Sequence, residues 1–120
     1  MQQQSSIKYY IALISWFLLM SISFFMPADD LSAPRSLTFP GADKVVHFVL
    51  FAVFTFLAIK TAEKSKRSIP TWIIAALIIF YAVGTEIIQS WISGRNGDVW
   101  DLMADIFGVT AVLVFFKILR

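Results

Sequence analysis

The stretch IPTWIIAALIIFYAVGTEIIQSW, residues 69–91, decides the fold class of this 120-residue chain. It contains one charged residue, Glu86, and its apolar residues follow one another without the alternation of a half-buried strand. A helix needs about 20 such residues to cross the roughly 30 Å hydrocarbon core of a bilayer. Because a helix satisfies its backbone hydrogen bonds within one segment, it is the form that such a run adopts in lipid. The stretch therefore predicts a transmembrane helix.

Three further apolar stretches extend this reading to the whole chain. They predict spans at residues 7–26, 43–60 and 98–119, and the second and fourth reach full length only if their polar first turns are helical. With 58% hydrophobic and 15% charged residues, the chain is too apolar for a soluble domain of this size. We expect one all-α domain over residues 1–120, a polytopic membrane protein with four transmembrane helices. The first span lacks a small-x-small cleavage site after it, which favours a retained helix over a signal peptide.

Basic residues indicate the orientation of the bundle. Lysine and arginine favour the cytoplasmic ends of membrane helices, and only Arg35, Lys44 and Arg95 lie in or beside the first and third loops. Both termini are therefore predicted to be cytoplasmic, N-in and C-in, with those loops outside. The remaining basic residues are on the predicted inner side: Lys8, Lys60, Lys64, Lys66, Arg67, Lys117 and Arg120. A net charge of +2 without a basic stripe gives no reason to expect a nucleic-acid partner, so the predicted partner is the lipid bilayer.

Polar residues interrupt the second, third and fourth spans at one level. Their spacings are i, i+4 in the second span, i, i+3 in the third, and i, i+3, i+7 in the fourth, so each set occupies one helix face. A charge that faces lipid in mid-span costs about 2.5 to 3.5 kcal/mol, so we expect these faces to line an outward-facing pocket. Gly84 and Gly108 are expected to allow the close helix approach that this requires. The predicted ligand-binding residues are Asp43, Lys44, His47, Glu86, Gln89, Arg95, Asp98, Asp101 and Asp105.

The charges in this set do not balance. Five carboxylates face only Lys44 and Arg95, which leaves a net charge of minus three when His47 is neutral. Like charges near a low dielectric cannot all stay ionised. The surplus must be compensated by bound protons, a protonated His47, a divalent cation or a cationic ligand.

The polar residues also form a pattern that resembles a known family. The segments DKxxHF at residues 43–48, GTExxQ at residues 84–89 and RxxDxxDxxxDxxG at residues 95–108 are similar to the VanZ-like family of small bacterial membrane proteins. The resemblance implies four helices in the bacterial inner (plasma) membrane and, for the name-giving member, a contribution to resistance against the glycopeptide teicoplanin. It implies no established reaction. Three positions depart from the pattern: Phe51 stands where tyrosine is frequent, Asp105 where asparagine is frequent, and Val112 where glycine is usual.

Three functions fit the polar set, and the sequence leaves them open. The first is structural: Lys44 pairs with Asp43, Asp98 caps the fourth helix, and Arg95 bridges to a carboxylate. The second is a binding protein whose pocket takes an amphiphilic antibiotic or a lipid-linked envelope precursor. This second function is the working prediction. The sequence does not indicate the oligomeric state.

The third function, kept as the alternative, is a metal- or acid/base-dependent enzyme that acts on a lipid-linked envelope substrate. His47, oriented by Asp43, would move protons, and Arg95 would hold a phosphate or carboxylate. Oxygen ligands without cysteine suit magnesium, manganese or calcium, and the single histidine adds zinc, so a divalent cation is the candidate cofactor. The candidate catalytic residues are His47, Glu86, Asp101 and Asp105, and the candidate metal ligands are Glu86, Asp101 and Asp105.

Overall fold

The described part of the chain consists of four α-helices. In a computed structural model, residues 2–26, 39–92 and 97–119 are described, and they form α1 (Gln2–Phe25), α2 (Ala42–Lys64), α3 (Thr71–Gln89) and α4 (Val99–Leu119). Each helix is long and apolar enough to cross a membrane, and the described ranges contain no strand. The predicted all-α class with four candidate spans is confirmed. The predicted N-in and C-in orientation stays a prediction.

The helix ends follow local sequence signals. Gly41 precedes α2 with φ of 82°, a left-handed conformation that glycine adopts without the steric cost of a side chain. Pro70 occupies the position before α3, so this helix begins two residues later than its predicted start at residue 69. Helical backbone angles are disfavoured for the residue before a proline, so Ile69 stays outside α3. By contrast, α1 begins five residues earlier than predicted, and α2 continues to Lys64 because that sequence carries no helix breaker.

Helix order divides the bundle into two ends. Helices α1 and α3 end where α2 and α4 begin. Gln89, the last residue of α3, donates a hydrogen bond to the carbonyl of Phe24 near the end of α1. Lys44, in the first turn of α2, contacts Asp98 just before α4. We call this end the acidic end. Carboxylates in the first turns of α2 and α4 lie beside the positive ends of the helix dipoles, and this arrangement stabilises both helices. The opposite end carries the loop between α2 and α3 with its basic residues.

Helices α2 and α4 run in the same direction and approach closely at Gly108. A Cβ atom on Gly108 would lie 2.5 Å from the carbonyl oxygen of Phe48 and 3.1 Å from the amide nitrogen of Ala52. Glycine is therefore needed here for the two backbones to meet. The same expectation for Gly84 is wrong, because a Cβ atom there would meet nothing within 4 Å.

The interior is small, and most of the apolar surface faces outward. Phe80 and Trp72 are 79% and 70% exposed, as expected for helices whose outer surface contacts lipid. Inside, the indole of Trp16 donates to the carbonyl of Leu50 at 3.0 Å, which ties α1 to α2 in mid-helix. The buried apolar core comprises Met20, Phe24, Phe51, Ile59, Ile74, Ala75, Ile78, Ala82, Val109 and Phe116.

Candidate functional site

Lys44 holds three carboxylates together at the rim of the acidic end. Its ammonium nitrogen lies 2.7 Å from Asp43, 2.8 Å from Asp98 and 3.0 Å from Asp101. The group is partly exposed, so each pair contributes modestly to stability, while the three together connect the first turn of α2 to the start of α4. The predicted pairing of Lys44 with Asp43 is thus present, and the lysine also bridges to α4.

His47 lies one turn deeper, surrounded by three carboxylates. Its Nδ1 atom is 2.7 Å from Oδ1 of Asp105 and 3.8 Å from Oε1 of Glu86, and its Nε2 atom is 3.6 Å from Oδ2 of Asp101. All four side chains are buried, and Asp105 is fully inaccessible. The i, i+4 spacing had suggested that Asp43 orients His47. That expectation is wrong, because Asp43 turns to Lys44 and Asp105 of the neighbouring helix holds the imidazole.

Two carboxylate oxygens in this group have no hydrogen-bond partner. Oε1 of Glu86 and Oδ2 of Asp105 are both buried and accept no hydrogen bond from the described residues. Leaving such an atom unsatisfied costs about 1 to 3 kcal/mol, and more when it is charged. Both oxygens are therefore positions at which a proton, a water molecule or a metal ion would remove this cost.

Helix α1 closes the site from the side, which the sequence did not reveal. The ring of Phe24 stacks on the His47 imidazole with centroids 5.0 Å apart. The side-chain amide of Gln89 donates to the carbonyl of Phe24 at 3.2 Å, which anchors the end of α1 against α3. Gln89, predicted as a ligand-binding residue, therefore has a structural partner. Phe24 carries no polar signal that could have marked it in advance.

Asp98 connects the rim to the deeper group. Its Oδ1 atom accepts the backbone N–H of Trp100 at 2.9 Å, which is the predicted cap of α4. Its own N–H donates to Oε2 of Glu86 at 3.1 Å. The Lys44 ammonium, and after it the Trp100 N–H, lower the pKa of the Asp98 carboxyl below its usual value. Asp98 is therefore ionised at neutral pH.

A lateral groove between α3 and α4 leads to Glu86. Its volume is ≈ 250 Å³. Glu86 is the one residue of the deeper group that lines it, and Asp98 also lines it. Most of the other lining residues are apolar or small, so the groove resembles the lipid-facing surface more than the acidic end. The lining residues are Glu86, Ile87, Ser90, Gly97, Asp98, Val99 and Leu102.

The structure thus brings eight of the nine predicted site residues to one end of the bundle, in two layers. The rim layer is Asp43, Lys44, Asp98 and Asp101; the deeper group is His47, Glu86 and Asp105, with Gln89 beside it. Arg95, the ninth, lies outside the described residues. Of the predicted metal ligands, Glu86 and Asp105 converge with His47, while Asp101 groups with Asp43 and Asp98 around the lysine.

Comparisons with known proteins place the chain in a family. A family model described as VanZ/LLP1 matches residues 2–120. An uncharacterized protein of Schizosaccharomyces pombe is 29% identical over 79 residues, which are 66% of this chain and 49% of that protein, so the chain spans about half the length of this curated relative. No solved structure matches the chain. Because the family match covers essentially every residue, this four-helix protein belongs to the VanZ/LLP1 family.

Proposed function

We propose that this protein binds an amphiphile of the bacterial cell envelope at the acidic end of its bundle. The polar head group would meet the carboxylates, and an acyl chain would follow α3 and α4. The observation that supports the proposal best is the position of Glu86. Glu86 is among the residues that line the groove between α3 and α4, and its carboxylate belongs to the buried group around His47.

The size of the groove limits what can enter it. Pockets that enclose whole small molecules measure about 300 to 1,000 Å³, and this groove has a volume of ≈ 250 Å³. A complete glycopeptide does not fit, whereas a segment of acyl chain or a small head group does. The bulk of a large ligand would remain at the membrane surface while its lipid part docks beside Ile87 and Leu102.

The charge of the site selects the head group. The rim and the deeper group contain five carboxylates, against which the described residues set Lys44 and His47. A head group that carries an amine, or one that arrives with a metal cation, compensates the surplus. The family resemblance connects this chemistry to teicoplanin, a glycopeptide with an acyl chain. The similar protein in a yeast is a reason to define the ligand as an amphiphile rather than as one antibiotic.

Binding can be tested with the full chain in lipid nanodiscs. The probes are teicoplanin and the same glycopeptide with its acyl chain removed. We expect the acylated probe to bind at least tenfold more tightly, and Glu86→Gln to weaken that binding by a similar factor. Glu63→Gln, which changes a carboxylate near the opposite end, is the matched control. Equal binding of both probes, or no effect of Glu86→Gln, would contradict the proposal.

The enzyme alternative is supported by the His47–Asp105 pair. A buried imidazole held at Nδ1 by a carboxylate resembles the arrangement in which histidine acts as a general base. Chemical change separates the two functions. A lipid-linked envelope precursor is incubated with the protein and then analysed by mass spectrometry. If the site only binds, the mass of the precursor should be unchanged. A product that forms with the wild type and not with His47→Ala would favour the enzyme.

A further inference from the structure

We infer that His47, Glu86 and Asp105 form a binding site for one divalent transition metal ion, of which zinc fits best. The three residues come from α2, α3 and α4, and each offers one ligand atom within 4.8 Å of the others. Metal ligation would explain why a histidine and two carboxylates are buried at one point between helices. The inference deepens the proposed function and rests on it for the ion's purpose, though not for the ion's presence.

The unpaired oxygens provide an independent observation. Glu86 and Asp105 are each more than nine-tenths buried, and each has one buried carboxylate oxygen without a hydrogen-bond partner: Oε1 of Glu86, which faces Nδ1 of His47 at 3.8 Å, and Oδ2 of Asp105. A cation that accepts both oxygens as ligands removes the cost of leaving them unsatisfied. It also neutralises two carboxylates that otherwise face each other in a low dielectric.

The spacing of the ligand atoms is close to that of a metal site. For metal–ligand bonds of about 2.0 to 2.2 Å in a tetrahedron, neighbouring ligands lie about 3.3 to 3.6 Å apart. The Nδ1 atom of His47 is 2.7 Å from Asp105 and 3.8 Å from Glu86, so the observed distances fall on both sides of that spacing. To admit the ion, the imidazole and the Asp105 carboxylate must exchange their hydrogen bond for ligation and move apart by about 0.6 to 0.9 Å.

The residues around His47 supply the outer support that metal-binding histidines use. Ligation through Nδ1 leaves the Nε2 hydrogen on the opposite edge of the ring, where Oδ2 of Asp101 lies at 3.6 Å. A shift of this carboxylate into hydrogen-bond distance would fix the ring and raise its basicity toward the metal. Phe24, stacked on the imidazole, restricts the ring further.

The other acidic group at this end does not make a competing site. Asp43, Asp98 and Asp101 also have convergent oxygens, but the Lys44 ammonium already lies among them at 2.7 to 3.0 Å. A cation at that point would meet the ammonium, so this group is a poorer metal site than the deeper one. A nitrogen ligand in the deeper group favours zinc over calcium, magnesium and manganese, which suit oxygen ligands.

The test measures metal in the purified full chain in nanodiscs, after equilibration with zinc and removal of the excess. We expect about one zinc per chain in the wild type and in Glu63→Gln. Asp105→Asn and Glu86→Gln should lower zinc affinity at least tenfold. Cobalt should replace zinc in the wild type and give the visible absorption of a four-coordinate ion, which Asp105→Asn abolishes. This spectrum reports ligation directly, so the inference stays testable even if one variant folds poorly.

A wild-type protein that retains no zinc and shows no cobalt spectrum would overturn the inference, as would variants that retain wild-type affinity. Teicoplanin binding is then measured separately on metal-stripped protein. Binding without metal would leave the proposed function intact while the metal site fails. Stoichiometric zinc without teicoplanin binding would support the metal site and remove the proposed ligand.

Discussion

The Nδ1 atom of His47 lies 2.7 Å from Oδ1 of Asp105, across the interface of α2 and α4. The two residues are 58 positions apart in the chain, and they meet because Gly108, almost one turn after Asp105, lets α4 touch the backbone of α2. Helix packing and site chemistry are therefore coupled at this point. A change that separates the two helices also separates the imidazole from its carboxylate.

Asp105 variants should distinguish the stability of this pair from its ligand chemistry. Asp105→Ala leaves the buried imidazole without its partner, so we expect it to lower the free energy of unfolding by about 1 to 3 kcal/mol. Asp105→Asn preserves the shape and a hydrogen bond and should cost less, while it removes the charge that a cation needs. Unfolding in mixed micelles measures the first effect and zinc affinity the second. Equal stability losses in the two variants would contradict this separation.

The two helix glycines should respond differently to alanine. Gly108→Ala places a methyl group against the Phe48 carbonyl, so α2 and α4 must move apart at a cost of about 1 to 3 kcal/mol. Gly84→Ala meets open space and should be neutral or stabilise the helix by up to about 1 kcal/mol. Micellar unfolding of both variants checks the pair. If Gly84→Ala is destabilising, another part of the protein must lie closer to Gly84 than the structure shows.

Asp98 variants should separate the helix cap from the ion pair. Asp98→Asn can still accept the Trp100 N–H but loses the attraction of Lys44, whereas Asp98→Ala loses both. We therefore expect stability to fall in the order wild type, Asp98→Asn, Asp98→Ala. Unfolding midpoints at neutral pH measure this order, and Asp98→Ala equal to Asp98→Asn would argue that the cap contributes nothing.

The same residue predicts a pH dependence. Since folding lowers the pKa of Asp98, its ionised form contributes stability above the unfolded value of about 3.9, and this contribution is lost as the pH falls through the lower folded value. The stability difference between the wild type and Asp98→Asn should accordingly shrink below about pH 4. A difference that stays constant from pH 6 to pH 3 would contradict the Lys44 pairing.

The orientation of the bundle is tested by labelling a chain that contains no cysteine. Ser36→Cys reports on the first loop, and Ser68→Cys reports on an exposed position between α2 and α3. With both termini cytoplasmic, an impermeant maleimide added to intact cells should label Ser36→Cys alone, and Ser68→Cys only after lysis. Labelling of Ser68→Cys in intact cells would show that the loop between α2 and α3 is outside, which is the opposite orientation.

The four helices were predictable because continuous apolar runs leave few other structures in lipid. The spacing of Asp101 and Asp105 likewise predicted that their side chains turn inward together, whereas Asp98 lies before α4 and is partly exposed. The choice of partner was not predictable, since whether His47 meets Asp43 or Asp105 depends on the rotation of α4 against α2. Nor does sequence separate Gly108 from Gly84, because only packing shows which glycine a neighbouring backbone touches.

The contribution of α1 could not be predicted for a different reason. Phe24 belongs to an apolar helix in which every large side chain fits either lipid or a protein neighbour. Its stacking on His47 is a result of how α1 packs against the bundle. The reach of Lys44 to three carboxylates also depends on a flexible side chain, and spacing along one helix does not describe such contacts.

The most direct test of a ligand site that joins the groove to the acidic end is photocrosslinking with a teicoplanin derivative that carries a diazirine in its acyl chain. We predict that labelled peptides, identified by mass spectrometry, will contain Ile87, Val99 or Leu102, and that Glu86→Gln will abolish this labelling while Glu63→Gln preserves it. Labels spread equally over lipid-facing positions such as Phe80 and Ile118, and unchanged in Glu86→Gln, would contradict the site.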